Sequence, residues 1–272
     1  MSRYKNMFNY QKKLRNEGMF VPFITVGDPS FDIFLKIVDA LIKKGANALE
    51  LGIPFSDPMA DGPIVQNANL RAFKAGINIQ SCFSLIFKIR DKYPNIPIGI
   101  LVYANIIFKY KISNFYTKCN NIGIDSILIP DVPIEESLPF YEESLKNNIS
   151  QIFICPPNAN EIFLKKISSY AKGYIYILSR PGVTGIHQKS YSINKDMITK
   201  LKKYSSIPLL QGFGIHKTEE IKNSIKMGMS GVICGSILIK IIEKYSTETK
   251  TMIKKIKEKT EFLKLSTKNI YF

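Results

Sequence analysis

Tryptophan is absent from this 272-residue chain, histidine occurs twice, and cysteine four times, at Cys82, Cys119, Cys155 and Cys234. Each scarcity closes a route. No two cysteines have Cys-x-x-Cys spacing, and neither His187 nor His216 stands at metal-ligand spacing from them. The sequence therefore predicts reduced, buried thiols and neither a zinc site nor a disulfide framework. No run approaches the roughly 20 apolar residues of a membrane helix. The opening Met1-Ser2-Arg3-Tyr4-Lys5-Asn6 leads into charge and not into a signal-peptide apolar stretch. The expectation is a cytoplasmic protein. A dinucleotide fingerprint is missing too. The turn after the first β-rich run reads Gly27-Asp28-Pro29-Ser30, and Gly212-Phe213-Gly214 is followed by Lys217 where a third glycine belongs.

Acidic residues are also few, 22 against 38 Lys and Arg, for a formal charge of +16. Such an excess invites a nucleic-acid reading. Its distribution argues against one: the lysines fall as scattered pairs (Lys43-Lys44, Lys165-Lys166, Lys202-Lys203) and along a C-terminal helix whose apolar stripe is Ile253, Ile256 and Leu263. These are solvated helix faces, with a positive field that suits an anionic small substrate.

Short β-rich runs alternate with longer amphipathic ones along the whole chain. Strands are expected at 21–26, 48–52, 98–103, 126–129, 151–155, 174–179, 208–211 and 231–234. Between the first two, Phe34, Ile37, Val38 and Leu41 recur at helical spacing after Ser30, and Gly45 ends the helix. Another helix has Thr218 as its expected N-cap, Ile221 and Ile225 on one face, and Gly228 as its stop. Eight β/α units in one unbroken domain, residues 1–272, fit a closed (β/α)8 TIM barrel, with an extra helix at each end of the chain.

Within that barrel the second strand carries an anomaly. Leu49, Leu51 and Ile53 share one face, and Glu50 lies on the other with Ala48 and Gly52. If the leucines pack outward on helices, Glu50 enters the lumen near the strand's C-terminal end, where barrel enzymes keep their chemistry. The loop that follows is stiffened by Pro54, Pro58 and Pro63 and brings Asp57 and Asp61 back over the strand end. A bare turn needs fewer residues. Three Gly-containing segments follow the last three strands: Ser179 to His187, Gly212-Phe213-Gly214, and Gly235-Ser236 opening a helix. Glycines admit backbone N–H groups close to oxygen, and a helix start offers unpaired donors, so this rim reads as a phosphate pocket. Neither histidine lies at a strand end; both read as loop or helix-start residues.

The run from Glu50 to Pro63 (ELGIPFSDPMADGP), continued by Ile64 to Arg71 (IVQNANLR), resembles the signature of the tryptophan synthase alpha subunit family. So do Phe23 to Pro29, Asp131 to Pro133, Phe153 to Pro157, Gly182 to Gly185, Gln211 to Gly214 and Gly235-Ser236, in family order. The resemblance implies a TIM barrel and a lyase that cleaves indole-3-glycerol phosphate into indole and glyceraldehyde 3-phosphate. It implies Glu50 as general acid/base and Asp61 as the partner of the indole N–H. Phe23, Leu101, Leu128 and Tyr176 would line the indole pocket. Phosphate and lid contacts would fall to Thr184, Gly185, Phe213, Gly214, Gly235 and Ser236. Neither a metal nor an organic cofactor is implied here; pyridoxal phosphate belongs to the beta subunit of an alpha-2 beta-2 complex, which Pro54, Asp57, Pro58, Asn105 and Phe108 would face. Pro181 and Ile237 depart from the pattern, the second as a larger residue beneath the phosphate. A non-catalytic module that only activates the partner would be marked by loss of Glu50 or Asp61, and both are present. A different phosphosugar isomerase or epimerase would need another acid/base set at other strand ends, and none is complete.

Overall fold

A computed structural model describes residues 2–14, 17–179, 195–212, 214–215 and 217–268. Eight strands close on themselves in chain order, every neighbouring pair parallel. They are β1 (Met19–Thr25), β2 (Leu49–Gly52), β3 (Ile98–Leu101), β4 (Ser126–Leu128), β5 (Ser150–Cys155), β6 (Ile175–Leu178), β7 (Leu209–Gly212) and β8 (Gly231–Cys234). All eight coincide with the expected strands, their ends shifted by a few residues. Val102 still donates to the Leu128 carbonyl at 3.0 Å, but Tyr103 turns out of the ladder to become the residue before the helix Ala104–Tyr110.

Alternation along the strands sorts the core into two shells. Phe20, Ile24, Leu49, Leu51, Ile100 and Ile127 point outward and pack with helix residues such as Phe34, Ile37, Leu41, Ile86 and Phe115. A further outward cluster joins Ile175, Ile177 and Leu209 to Leu164, Ile167 and Leu201. Met19, Val21, Phe23, Leu128, Ile152, Tyr174, Tyr176, Leu210 and Ile233 point inward and fill the lumen. Strand periodicity of two produces this division wherever both faces are covered.

Both terminal helices are present. The N-terminal one, Arg3–Leu14, brings Tyr4 and Phe8 to the lumen cluster, where the Tyr4 hydroxyl bonds Ser126 Oγ at 2.9 Å. Arg3 and Arg90 both reach Asp125, at 3.0 and 2.7 Å, and Arg90 also donates to the carbonyls of Tyr93, Pro94, Ile96 and Gly123. The helix Thr249–Leu265 buries Met252, Ile256 and Leu263 against the outer shell, with Ile253 half-buried. One cap differs from expectation. Thr218 is the first helical residue of Thr218–Lys226 and Lys217 precedes it, because Glu220 Oε2 accepts the Lys217 N–H at 2.9 Å and so closes the first turn from inside the helix.

Candidate active site

Glu50 leaves β2 toward the lumen, as the alternation requires, and is 2% exposed. Its register partners are Phe23 on β1 and Gly99 on β3. The Tyr174 hydroxyl donates to Glu50 Oε1 at 3.0 Å, and that ring meets Tyr4 edge-on with centroids 5.5 Å apart. Loss of water on burial pushes the Glu50 carboxyl up to about 7, against a smaller opposing effect of the Tyr174 hydrogen bond. The group is thus poised to hold or release a proton near neutrality.

Asp61 comes from the loop after β2. Its N–H donates to the Pro58 carbonyl at 2.9 Å, and its own carbonyl accepts Gln66 Nε2 at 2.7 Å. Two residues later Pro63 opens the helix Pro63–Lys74, its missing N–H harmless in a first turn. Burial raises the Asp61 carboxyl to about 6, with the Tyr103 hydroxyl, its hydrogen-bond partner, pulling the other way. That same hydroxyl accepts the Ala60 N–H at 3.1 Å, so Tyr103 pins the loop from β3's side.

Both carboxyls open on one cavity of about 460 Å³. Phe23, Leu101, Leu128 and Tyr176 wall it, as do Ile152, Ile154 and Ile233. Two of these rings need glycines beside them. A Cβ on Gly212 would overlap the Tyr176 ring, and one on Gly235 would stand 2.8 Å from Phe23 Cδ1. Backbone without side chains therefore lets the aromatic walls lie flat.

Gly214, Gly235 and Ser236 line the same cavity. Gly214 has φ +71°, and Ser236 starts the helix Ser236–Lys244, whose first amides have no carbonyl of their own helix to bond. Such a helix start attracts anions. Ile237 faces away from the cradle, half-buried against the outer shell, which is how the larger residue is accommodated. Thr184, Gly185 and Phe213 lie outside the described residues, as do Pro181, His187 and His216.

On the same C-terminal rim, Asp57 is exposed, Pro58 half-buried and Met59 76% exposed, while Pro54 is buried within the chain. Asn105 and Phe108 are exposed on the helix Ala104–Tyr110, whose first amide donates to Asp131 Oδ1 at 3.1 Å. The four cysteines are buried and unpaired. Among the described residues no group of three His, Cys, Asp or Glu side chains converges, and no helix is long and apolar enough to cross a membrane.

The sequence does not single out Tyr174 and Tyr103, the two hydroxyls that hold the carboxyls. Tyr174 was within reach, since it shares a strand face with Tyr176. Tyr103 was not, because it acts from beyond the strand end across to a neighbouring loop.

A closed parallel barrel with two buried carboxyls facing each other's cavity and a helix start at its rim defines the class: a (β/α)8-barrel enzyme built for proton transfer on an apolar, anion-bearing substrate. The family model for "Tryptophan synthase alpha chain" matches residues 9–268. The chain is 54% identical to the tryptophan synthase alpha chain of Buchnera aphidicola subsp. Baizongia pistaciae, over 97% of this chain and 96% of that one. It is 49% identical to that of Escherichia fergusonii, over 99% and 100%. Among solved structures, it is similar to the tryptophan synthase alpha subunit of Legionella pneumophila, with TM-score 0.87, 28% identity, and 99% and 100% coverage. A structure of the tryptophan synthase α2β2 complex of Pyrococcus furiosus matches with TM-score 0.79 and 31% identity, over 91% of this chain and 98% of that one. This chain belongs to the tryptophan synthase alpha chain family.

Proposed function

We propose that this chain is the lyase subunit of a cytoplasmic tryptophan synthase, cleaving indole-3-glycerol phosphate to indole and glyceraldehyde 3-phosphate by a retro-aldol reaction. The observation that carries the reading is the Glu50 carboxyl, shut from water, lifted to about 7, and opening on a cavity walled for a flat ring. Indole lies among Phe23, Leu101, Leu128 and Tyr176, its N–H donating to Asp61. Phosphate takes the amides around Gly214, Gly235 and Ser236, and the family pattern adds Thr184, Gly185 and Phe213 to its contacts.

The chemistry follows from where charge develops. Protonated Glu50 gives its proton to ring carbon C3, and the positive charge spreads to the ring nitrogen, where ionised Asp61 stabilises it. The bond from C3 to the side chain then breaks and its electron pair restores the aromatic ring. The side-chain hydroxyl becomes the aldehyde and passes its proton to the Glu50 carboxylate, which restores the acid. One residue serves as acid and then as base because its protonated and ionised forms are nearly equal in energy near pH 7.

Indole passes to a beta subunit, which carries pyridoxal phosphate and completes an α2β2 assembly. Asp57 and Pro58 of the β2 loop, with Asn105 and Phe108 after β3, form the face toward it; Pro54, expected there from the resemblance, is buried within the chain and lies behind that face. The deciding experiment measures indole released from indole-3-glycerol phosphate by the purified chain, alone and with beta subunit, beside the Glu50→Gln variant. Turnover that rises with the partner and vanishes in the variant is expected. Substrate binding without turnover in both conditions would instead assign the chain a purely activating role.

A further inference from the structure

Of the two acids, Glu50 is fixed by a strand of the barrel, whereas Asp61 sits on a loop held on one side by the Tyr103 hydroxyl and on the other by Gln66 of the helix that follows. That helix, Pro63–Lys74, packs against Ser236–Lys244, the helix whose first turn faces the cavity at the phosphate end. The distance between the two ends of the substrate site therefore depends on how these two helices sit on each other.

Arg71 links them. Its guanidinium makes a two-point contact with Asp28, Nε to Oδ1 at 2.8 Å and the second terminal nitrogen to Oδ2 at 2.9 Å. The remaining terminal nitrogen donates to Glu243 Oε1 at 3.0 Å. Asn67, one turn earlier on the same helix, donates to that oxygen at 3.1 Å. The Asp28 side chain is fully buried, Arg71 18% exposed and Glu243 42%. Asp28 follows β1, which presents Phe23 to the cavity. One planar cation thus ties together the segment after the strand bearing the indole wall, the helix behind Asp61, and the helix that starts at the phosphate cradle. None of Asp28, Asn67, Arg71 and Glu243 lines the cavity.

We propose that Arg71 is a positioning residue: with Asp28 and Glu243 it sets the span between Asp61 and the Gly235–Ser236 helix start, and so selects a ligand that reaches both ends. A fork of fixed geometry suits this task better than a lysine, which holds its partners through a single freely rotating point charge. The inference rests on the assignment of Asp61 and Ser236 to opposite ends of the substrate.

The test compares a ligand anchored at both ends with ligands anchored at one. Glu243→Ala is the first variant, because Glu243 is half-exposed and its removal leaves the buried Asp28–Arg71 pair intact. Arg71→Lys is the second; it keeps the charge and loses the fork. Titration calorimetry on the whole chain measures the unreactive analogue indole-3-propanol phosphate, then indole and glycerol 3-phosphate separately. The expected result is roughly tenfold weaker binding of the two-ended analogue, a part of what misplacement by an ångström can cost. KM for indole-3-glycerol phosphate should rise with it more than kcat falls, while the one-ended ligands keep their affinity within about twofold. Equal weakening of all three ligands, or no weakening of any, overturns the proposal, since a merely structural pair would give one of those patterns. Asp61→Asn is run in parallel: if it retains full turnover, the underlying site assignment fails, whatever the Glu243 variant does.

Discussion

Because burial lifts Glu50 to about 7, the native chain holds a proton there that the unfolded chain, with an ordinary value of 4.5, has already released over the interval between them. The folded state binds more protons in that window, so stability falls as pH rises through it, by up to about 3 kcal/mol, and the loss is complete above pH 7. Glu50→Gln carries no such cost. It should melt higher than the parent chain at pH 8, with the gain disappearing below about pH 4.5, and a series of thermal melts across pH checks the sign. In catalysis the same replacement should cost ~10²–10⁴-fold in kcat with ligand affinity kept, read by indole release and by titration of an unreactive analogue. Under the proposed mechanism the two acids set opposite limbs of the pH profile. Asp61 must be ionised and rises to about 6, while Glu50 must begin protonated and loses its proton near 7, so kcat/KM should be bell-shaped with those limbs. A profile flat from pH 5 to 8 would contradict both roles.

At the level of elements, the walls of the pocket depend on strands that give up side chains. Tyr176 on β6 pairs with Leu210 on β7, and its ring extends over Gly212 at the end of that strand. Gly212→Ala leaves every catalytic group in place but forces Tyr176 out of the cavity wall. KM should rise several-fold while the far-ultraviolet circular dichroism stays that of the parent. The lower end of the barrel is held differently. Asp125 joins Arg3 of the N-terminal helix to Arg90, each carboxyl oxygen taking one guanidinium. Asp125→Ala leaves the Arg90 guanidinium, 9% exposed, without a counter-charge, and should destabilise the chain by about 3–5 kcal/mol, measured by urea denaturation.

Taken whole, the molecule divides its ends by task. The cavity, the helix start at Gly235-Ser236 and the loops proposed to face the partner share the C-terminal rim, and the N-terminal helix packs into the lumen through Tyr4 and Phe8. Phe108, 55% exposed beside Asn105, lies on that rim outside the cavity lining and is the aromatic side chain of the proposed partner face. Phe108→Asp should weaken binding to the beta subunit by about 2 kcal/mol or more, as burying an unpaired charge at an interface centre does. Calorimetry against the partner measures the loss, and the turnover of the isolated chain should not change.

Sequence periodicity alone was enough to determine the eight strands, their inward and outward faces and the lumen-facing direction of Glu50, because alternation is a local property of the strand and burial on both faces leaves it no choice. The Gly235-Ser236 helix start was legible for the same reason. The hydroxyl that holds Glu50, the one that holds Asp61, and the link from Arg71 to Asp28 and Glu243 were decided only by the closed barrel. Each joins residues from 42 (Asp61 to Tyr103) to 172 positions apart, and such pairs meet only once the strands have closed and the helices have settled on one another. The raised carboxyls belong with them: a charge feels burial only where a third dimension removes the water.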